Sequence, residues 1–460
     1  MKRRKAALTA IVGLALGGPM LRAQAPAPAP PVSITLEEAI HRAEANDPAY
    51  ASAKAQERIA GLDKSIARAA LLPTARAFSQ DVYVQPNGIF TEGDAGQHSA
   101  PMPKFVSADA RPWEYIAQGM VDEDVNLAAV SGLRRADAAA AQAAAEQEIA
   151  RRGLVSGVTS LFYTAAAAEA RAKVAARARD EAADFTKITQ QREQAREAAH
   201  ADVIKAQLEE QTRIREWQDA QLAAAKARLQ LGVLLFPDPR TPYTLDTPAA
   251  PTALASRQDI EGAAAKNNPE LKSALAAMRV SQADVLAARG AYLPDVRFNV
   301  AYGIDANQFA TKAPLVTVTD PQGTPKQFQV NNLGYSTSFT VSLPVWDWLS
   351  TQHKVKQSEI RRQVAKVALT NTQRQLIASL DESYAEAATA RDQLASLDLS
   401  VKTAAESLRL TKAAYQGGDA TVFDVVAAQT AYVTAENARE DGRVRYESAL
   451  AALQMLTGTM

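Results

Sequence analysis

The sequence predicts a mixed but mostly α-helical protein, built from two internal repeats that each carry a pair of β-strands between long helices. Three observations predict it: a duplication of the chain, a proline break followed by period-two alternation in each copy, and helical stretches too long for a globular domain.

The duplication is read directly. Asn46-Asp47-Pro48 recurs as Asn267-Asn268-Pro269, and Ala70-Leu71-Leu72-Pro73 recurs as Ala291-Tyr292-Leu293-Pro294, so that Pro269 and Pro294 each follow their counterparts by 221 residues. Tyr163 and Tyr384 keep that offset, and Asp202-Val203 matches Asp424-Val425 at 222. A period of this length means two fused copies of one unit rather than a solenoid. The first repeat covers 36–236 and the second 257–460, joined by a proline-rich connector at 237–256.

Ahead of them, Lys2, Arg3, Arg4 and Lys5, an apolar stretch at 6–16 and Ala23-Gln24-Ala25 predict a signal peptide over 1–25. An alanine-proline linker follows at 26–35. The 51 basic residues equal the 51 acidic ones, which argues against nucleic-acid binding. Without cysteine there is no lipid-acceptor thiol, disulfide or thiolate metal site.

Each copy opens with a helix, over 36–72 and 257–293, rich in residues that lose little freedom in helical geometry. Pro73 and Pro294 end these helices, because a residue before proline is pushed toward extended backbone. Strands follow near 76–84 and 113–125 in the first copy, although Asp122, Glu123 and Asp124 break the alternation at the inner end. In the second, Val296, Phe298, Val300, Tyr302 and Ile304 alternate with polar or small residues, and a return strand over 335–345 does the same. Long loops, 85–112 and 306–332, join the strands. Residues 126–194 then hold no proline, and at ~1.5 Å per residue they make a rod on the order of 100 Å. In the second copy Leu394, Leu397, Val401, Ala404, Leu408, Thr411 and Tyr415 step by three and four, the seam of supercoiled helices.

Strands of about ten residues suit a tilted membrane crossing. Trp113 and Tyr115 stand at the outer end and Trp346 and Trp348 at the inner end, where aromatic girdles sit in such barrels. Four strands cannot close a barrel, for which about eight is the minimum, so protomers must combine.

The order of helix, Leu-Pro, strand, loop, strand and long hairpin, given twice, resembles the TolC-like outer-membrane efflux protein family. The local matches are Asn267-Asn268-Pro269-Glu270-Leu271, Tyr292-Leu293-Pro294, Val341-Ser342-Leu343-Pro344-Val345-Trp346-Asp347 and the run Gly418-Asp419-Ala420-Thr421-Val422-Phe423-Asp424-Val425-Val426-Ala427-Ala428-Gln429. The resemblance implies a homotrimer with a 12-stranded β-barrel in the outer membrane of a Gram-negative bacterium, continued by a periplasmic α-helical barrel. It implies an exit duct for efflux or type I secretion, working with a periplasmic adaptor and an inner-membrane pump of RND, ABC or MFS type. No enzymatic activity, cofactor or metal is expected.

It also implies site residues. Asp424 falls where acidic side chains line the periplasmic constriction; by itself it reads as a helix-start carboxylate favoured by the dipole. Ala427 stands where some members have a second aspartate. Tyr415 and Asp202 fall where a hydrogen bond ties the two hairpins, although a seam tyrosine and an exposed carboxylate have structural uses of their own. Gly417 and Gly418 terminate a helix, and Arg196 and Glu197 stand at the equivalent turn; adaptors dock at these turns in the family. Asp122, Glu123 and Asp124 read as a charged strand end more readily than as a cation site. Two other classes compete: a periplasmic adaptor, which would show one hairpin set in soluble β domains, and a coiled-coil rod, which the alternating strands oppose.

Overall fold

The computed structural model describes residues 32–83, 113–247, 252–306, 309–319 and 321–458. The expected signal peptide, most of the linker and the loop over 85–112 lie outside these residues.

The chain starts with β1 (Val32–Ile34), α1 (Leu36–Asn46) and α2 (Pro48–Ala69). One helix was expected over 36–72, and the structure corrects this to two. Asp47 ends α1 in extended backbone and accepts the Tyr50 amide at 2.6 Å, while Pro48, lacking an N–H, takes the first position of α2. Next come β2 (Thr74–Tyr83), β3 (Trp113–Val125), α3 (Leu127–Gln194) and α4 (His200–Leu235). The connector contributes β4 (Tyr243–Leu245), which pairs in parallel with β1.

The second copy repeats the order with α5 (Arg257–Asn267), α6 (Pro269–Gly290) and β5 (Asp295–Ala306). The expected loop over 306–332 is not all loop. It holds a hairpin, β6 (Lys312–Thr319) and β7 (Pro325–Asn331), whose turn places Gly323 at φ 83°. The copy ends with β8 (Leu333–Ser342), α7 (Ser350–Gly417) and α8 (Val422–Thr457). β8 stops three residues before the expected end, because Pro344 cannot donate to a ladder.

The two copies share one antiparallel sheet in the order β2-β3-β5-β8, and β2 and β8 are its edges. Directly paired residues share a face. Val296, Phe298 and Tyr302 oppose Val341, Phe339 and Tyr335, so one face is apolar. It is also open, with Phe339 68% and Tyr335 81% exposed, a pattern that water does not tolerate over a large patch. The other face is polar. There Arg76 and Asn299 reach Asp122 at 2.9 and 2.7 Å, and Arg297 forks onto Asp124 at 2.6 and 3.2 Å. Strand alternation sends Glu123 to the opposite face, so the acidic run is divided between two surfaces, and two of its members are cross-strand ion-pair partners.

α3 and α7 are each 68 residues long, and α4 and α8 36 each. No helix among the described residues is long and apolar enough to cross a membrane. The predicted α7 seam is buried or half-buried, and α8 approaches it closely at Gly442, where a Cβ would come 2.5 Å from Leu397. Around the waist, Ile34, Ala39, Phe162, Leu231 and Tyr243 form a core binding β1, β4 and α1 to the first hairpin. Ile260, Leu376, Leu380 and Leu453 serve the second.

Both hairpins are tied to the helix breaks. The Asn46 amide donates to the Leu235 carbonyl at 3.1 Å, and that of Asn268 to the Leu456 carbonyl at 3.1 Å. Asn268 also accepts the Leu271 amide at 2.8 Å. One asparagine thus does at the second break what Asn46 and Asp47 divide at the first.

Candidate functional site at the helical-hairpin turns

The residues expected to act lie where α3 meets α4 and where α7 meets α8. Both turns need one residue with left-handed backbone, because the last carbonyls of a helix are satisfied by reversing the chain. After α7 this is Gly418, at φ 89°, with the Gly418 and Asp419 amides donating to Tyr415 and Ala414. After α3 it is Arg196, at φ 64°, with the Arg196 and Glu197 amides donating to Glu193 and Arg192.

Tyr415 is buried and packs its ring 5.0 Å from Phe185 of α3. Its hydroxyl donates to Thr189 at 3.3 Å, not to Asp202 as expected. Asp202, in the first turn of α4, instead takes Lys205 at 3.3 Å. Helix geometry explains this, since a lysine three residues on lies over the same turn.

Arg192 and Thr189 were not singled out from the sequence. The Arg192 guanidinium lies 4.9 Å over the Tyr415 ring, donates to the Tyr415 carbonyl, and approaches Glu197 at 3.6 Å. It therefore covers the carbonyl end of α7, where positive charge is favoured. Lys412 adds an ion pair with Glu181 at 2.7 Å. On the other side Lys205 sits 4.3 Å over the exposed ring of Phe423, linking α4 to α8.

Asp424 is the third residue of α8 and is exposed. It forms a reciprocal cap with Thr421, accepting the Thr421 amide and hydroxyl at 2.7 Å each and donating its own amide to that hydroxyl at 3.3 Å. These bonds, the hydroxyl first, hold its carboxyl below the usual carboxylate range. The equivalent position before α4 is Ala199, which has no side-chain acceptor, and Asp202 is left to Lys205.

Further along the hairpins, Glu447 of α8 is buried, and that burial pushes its carboxyl up, opposed in part by the Thr252 amide, Arg443 and the Tyr163 hydroxyl. Burial also pushes Tyr163 up, to about 12.

At the other end of the molecule Trp346 and Trp348 are 69% and 83% exposed and meet edge to face at 5.7 Å, below the strand ends. Tyr115 meets Phe309 at 6.4 Å. The Trp113 side chain lies outside what the structure describes.

Residues 262–459 match the family described as outer membrane efflux protein. Protein CyaE of Bordetella pertussis is 27% identical over 246 residues, which are 51% of this chain and 48% of that protein, so the match spans about half of the relative's length. Among solved structures, the Campylobacter jejuni CmeC outer membrane channel superposes with a TM-score of 0.71 at 15% identity, covering 92% of this chain and 85% of that one. A membrane protein from Pseudomonas aeruginosa gives 0.73 at 19% identity, covering 93% and 91%. The open state of the Neisseria gonorrhoeae MtrE outer membrane channel gives 0.72 at 17% identity, covering 92% and 88%.

Proposed function

We propose that this chain, which has the fold of the TolC-like channels and the outer membrane efflux protein signature in its second repeat, is one protomer of an exit duct in the outer membrane. One observation carries the reading: a four-stranded sheet with an exposed apolar face and two open edges is joined directly to helices on the order of 100 Å long. Open edges are forbidden in lipid, so the sheet must be completed by other copies. Three copies give the 12 strands of the resemblance. The helices then continue the barrel as a tunnel through the periplasm, and Tyr115, Trp346 and Trp348 lie at the two membrane interfaces.

In this reading the hairpin turns form the periplasmic mouth. The contacts of Tyr415 with Phe185, Thr189 and Arg192 of α3 hold the second hairpin against the first, and Asp424 faces the constriction. A periplasmic adaptor engages Gly417, Gly418, Arg196 and Glu197, and an inner-membrane pump supplies the cargo.

The full-length protein should fractionate with the outer membrane of the cells that make it and, once purified, migrate as a trimer in detergent and give stepwise conductance in planar bilayers. Recovery as a soluble periplasmic monomer would overturn the proposal.

A further inference from the structure

Between α3, α6 and α7, just below the strands, lies a groove of about 430 Å³. It is lined by Arg134, Arg279, Arg289 and Arg362, and its one acidic residue is Asp137. Two of the charges are already matched: Arg289 pairs with Glu359 at 2.6 Å, and Asp137 with Lys64 at 2.5 Å. The side chains of Arg134, Arg279 and Arg362 make no ion pair or hydrogen bond among the described residues, although the neighbouring Arg135 has found Asp284 at 2.9 Å.

All three side chains are exposed, so water and salt screen their mutual repulsion, but an anion seated in the groove is attracted by all three at once. The guanidinium fork matches phosphate oxygens bidentately, and three forks suit a dianion better than a single carboxylate. The groove is larger than inorganic phosphate needs, and Ala138, Ala141, Val285 and Leu286 give it an aliphatic wall. Its height is also informative. Counting from the helix ends at Leu127, Gly290 and Ser350, the three arginines lie roughly 10 to 18 Å from the strand–helix junction.

We propose that this groove binds the phosphate group of an organophosphate anion, held by Arg134, Arg279 and Arg362 with its apolar part against Leu286. The ligand has two sources of the same chemistry. One is a soluble organophosphate in the duct, which the distance from the strands favours; the other is the headgroup of a phospholipid in the leaflet beside Trp346 and Trp348, which would have to reach past a headgroup layer only about 5–7 Å deep. In either case it bridges the repeats, since α3 belongs to the first and α6 and α7 to the second.

The test uses the full-length protein in a phosphate-free, non-ionic detergent, titrated calorimetrically with glycerol 3-phosphate or with mixed micelles containing phosphatidylglycerol. Binding of at least one probe, weakened tenfold or more by combined Arg134→Gln, Arg279→Gln and Arg362→Gln, is the expected result. Binding of the lipid alone assigns the site to a headgroup, and binding of glycerol 3-phosphate assigns it to a soluble anion. Lys354→Gln with Lys356→Gln, outside the groove, should leave the affinity within twofold. Should the triple variant fail to assemble, hydrogen exchange on the unaltered protein replaces it, with protection expected at 134–141 and 279–289 when a probe is added. No binding of either probe, equal binding by an assembled triple variant, or no protection in the groove would overturn the proposal.

Discussion

Arg196 and Gly418 occupy the same left-handed position in the two hairpin turns, at φ 64° and 89°, and only one of them is glycine. A side chain there crowds the following carbonyl, at about 1–2 kcal/mol for a residue with a Cβ. The first turn carries that strain, and the second does not.

Arg196→Gly should therefore stabilise the protein by up to about 1 kcal/mol, since relief of strain exceeds the added freedom of glycine in the unfolded chain. Gly418→Ala should cost on the order of 1 kcal/mol for the same reason. Shifts of the unfolding midpoint in opposite directions are the check; equal shifts would show that the turns do not share this geometry.

At the helix breaks the two copies differ by one atom type. Asn268 is buried and donates to the Leu456 carbonyl, so Asn268→Asp sets a carboxylate against a carbonyl and should cost roughly 2–3 kcal/mol. Asp47→Asn keeps the acceptor for the Tyr50 amide and should change stability by less than about 0.5 kcal/mol. Chemical denaturation of the two variants side by side measures the difference.

For the turns as a gate, Tyr415→Phe removes one long hydrogen bond and keeps the packing on Phe185, a loss of no more than about 1 kcal/mol per protomer. Arg192→Ala removes the carbonyl contact, the ring contact and the approach to Glu197 together. Single-channel recordings should show open probability rising modestly in the first and more in the second. The reverse order would place the restraint elsewhere.

Asp424→Ala should lower cation selectivity. Its bonds with Thr421 depress the folded pKa below the reference of about 3.8, so both the charge and the stabilisation it brings are present above that value and lost only as pH falls through the lower folded one. Selectivity in planar bilayers should thus be retained from pH 7 to 5 and decline at lower pH. A decline already complete at pH 5 would contradict this assignment.

Glu447 has the opposite sign. Its folded pKa is raised, so the protonated form suits the fold, and stability from this group is lost as pH rises from the unfolded value of about 4.3 through the folded one. Glu447→Gln should then raise the unfolding midpoint at pH 7, with the difference vanishing below about pH 4. An equal difference at both pH values would point to packing instead of charge.

Much of the architecture was legible because it rests on patterns that repeat. Pro73 and Pro294 located the helix-to-strand changes, and alternation from Val296 to Ile304 gave the apolar face of β5. The short pairing of β1 with β4 was missed, since three residues show no period. The breaks at Asp47 and Asn268 were in plain view as repeat markers, but the alanine-rich helices around them concealed that Pro48 and Pro269 begin new ones. In the candidate site Tyr415 stood out as the end of an apolar seam. Its partners Thr189 and Arg192 did not, because a threonine and an arginine on a polar helix carry no pattern, and contact with Tyr415 comes from more than 220 residues away. Their spacing of three, one helical turn, was the only local signal.

The parallel pairing of Val32–Ile34 with Tyr243–Leu245 also bears on the order of assembly. An antiparallel partner can be the next stretch of chain, whereas this strand waits for one about 210 residues later, beyond the whole first hairpin. Contacts so distant in sequence are slow to form, because loop closure precedes any gain from them. The first residues of the folded body are thus among the last to be fastened. Until the connector arrives, the first copy holds an unpartnered edge and an unfilled place beside Phe162 and Leu231, a vulnerable interval that a protease pulse during refolding would detect as cleavage near the amino terminus.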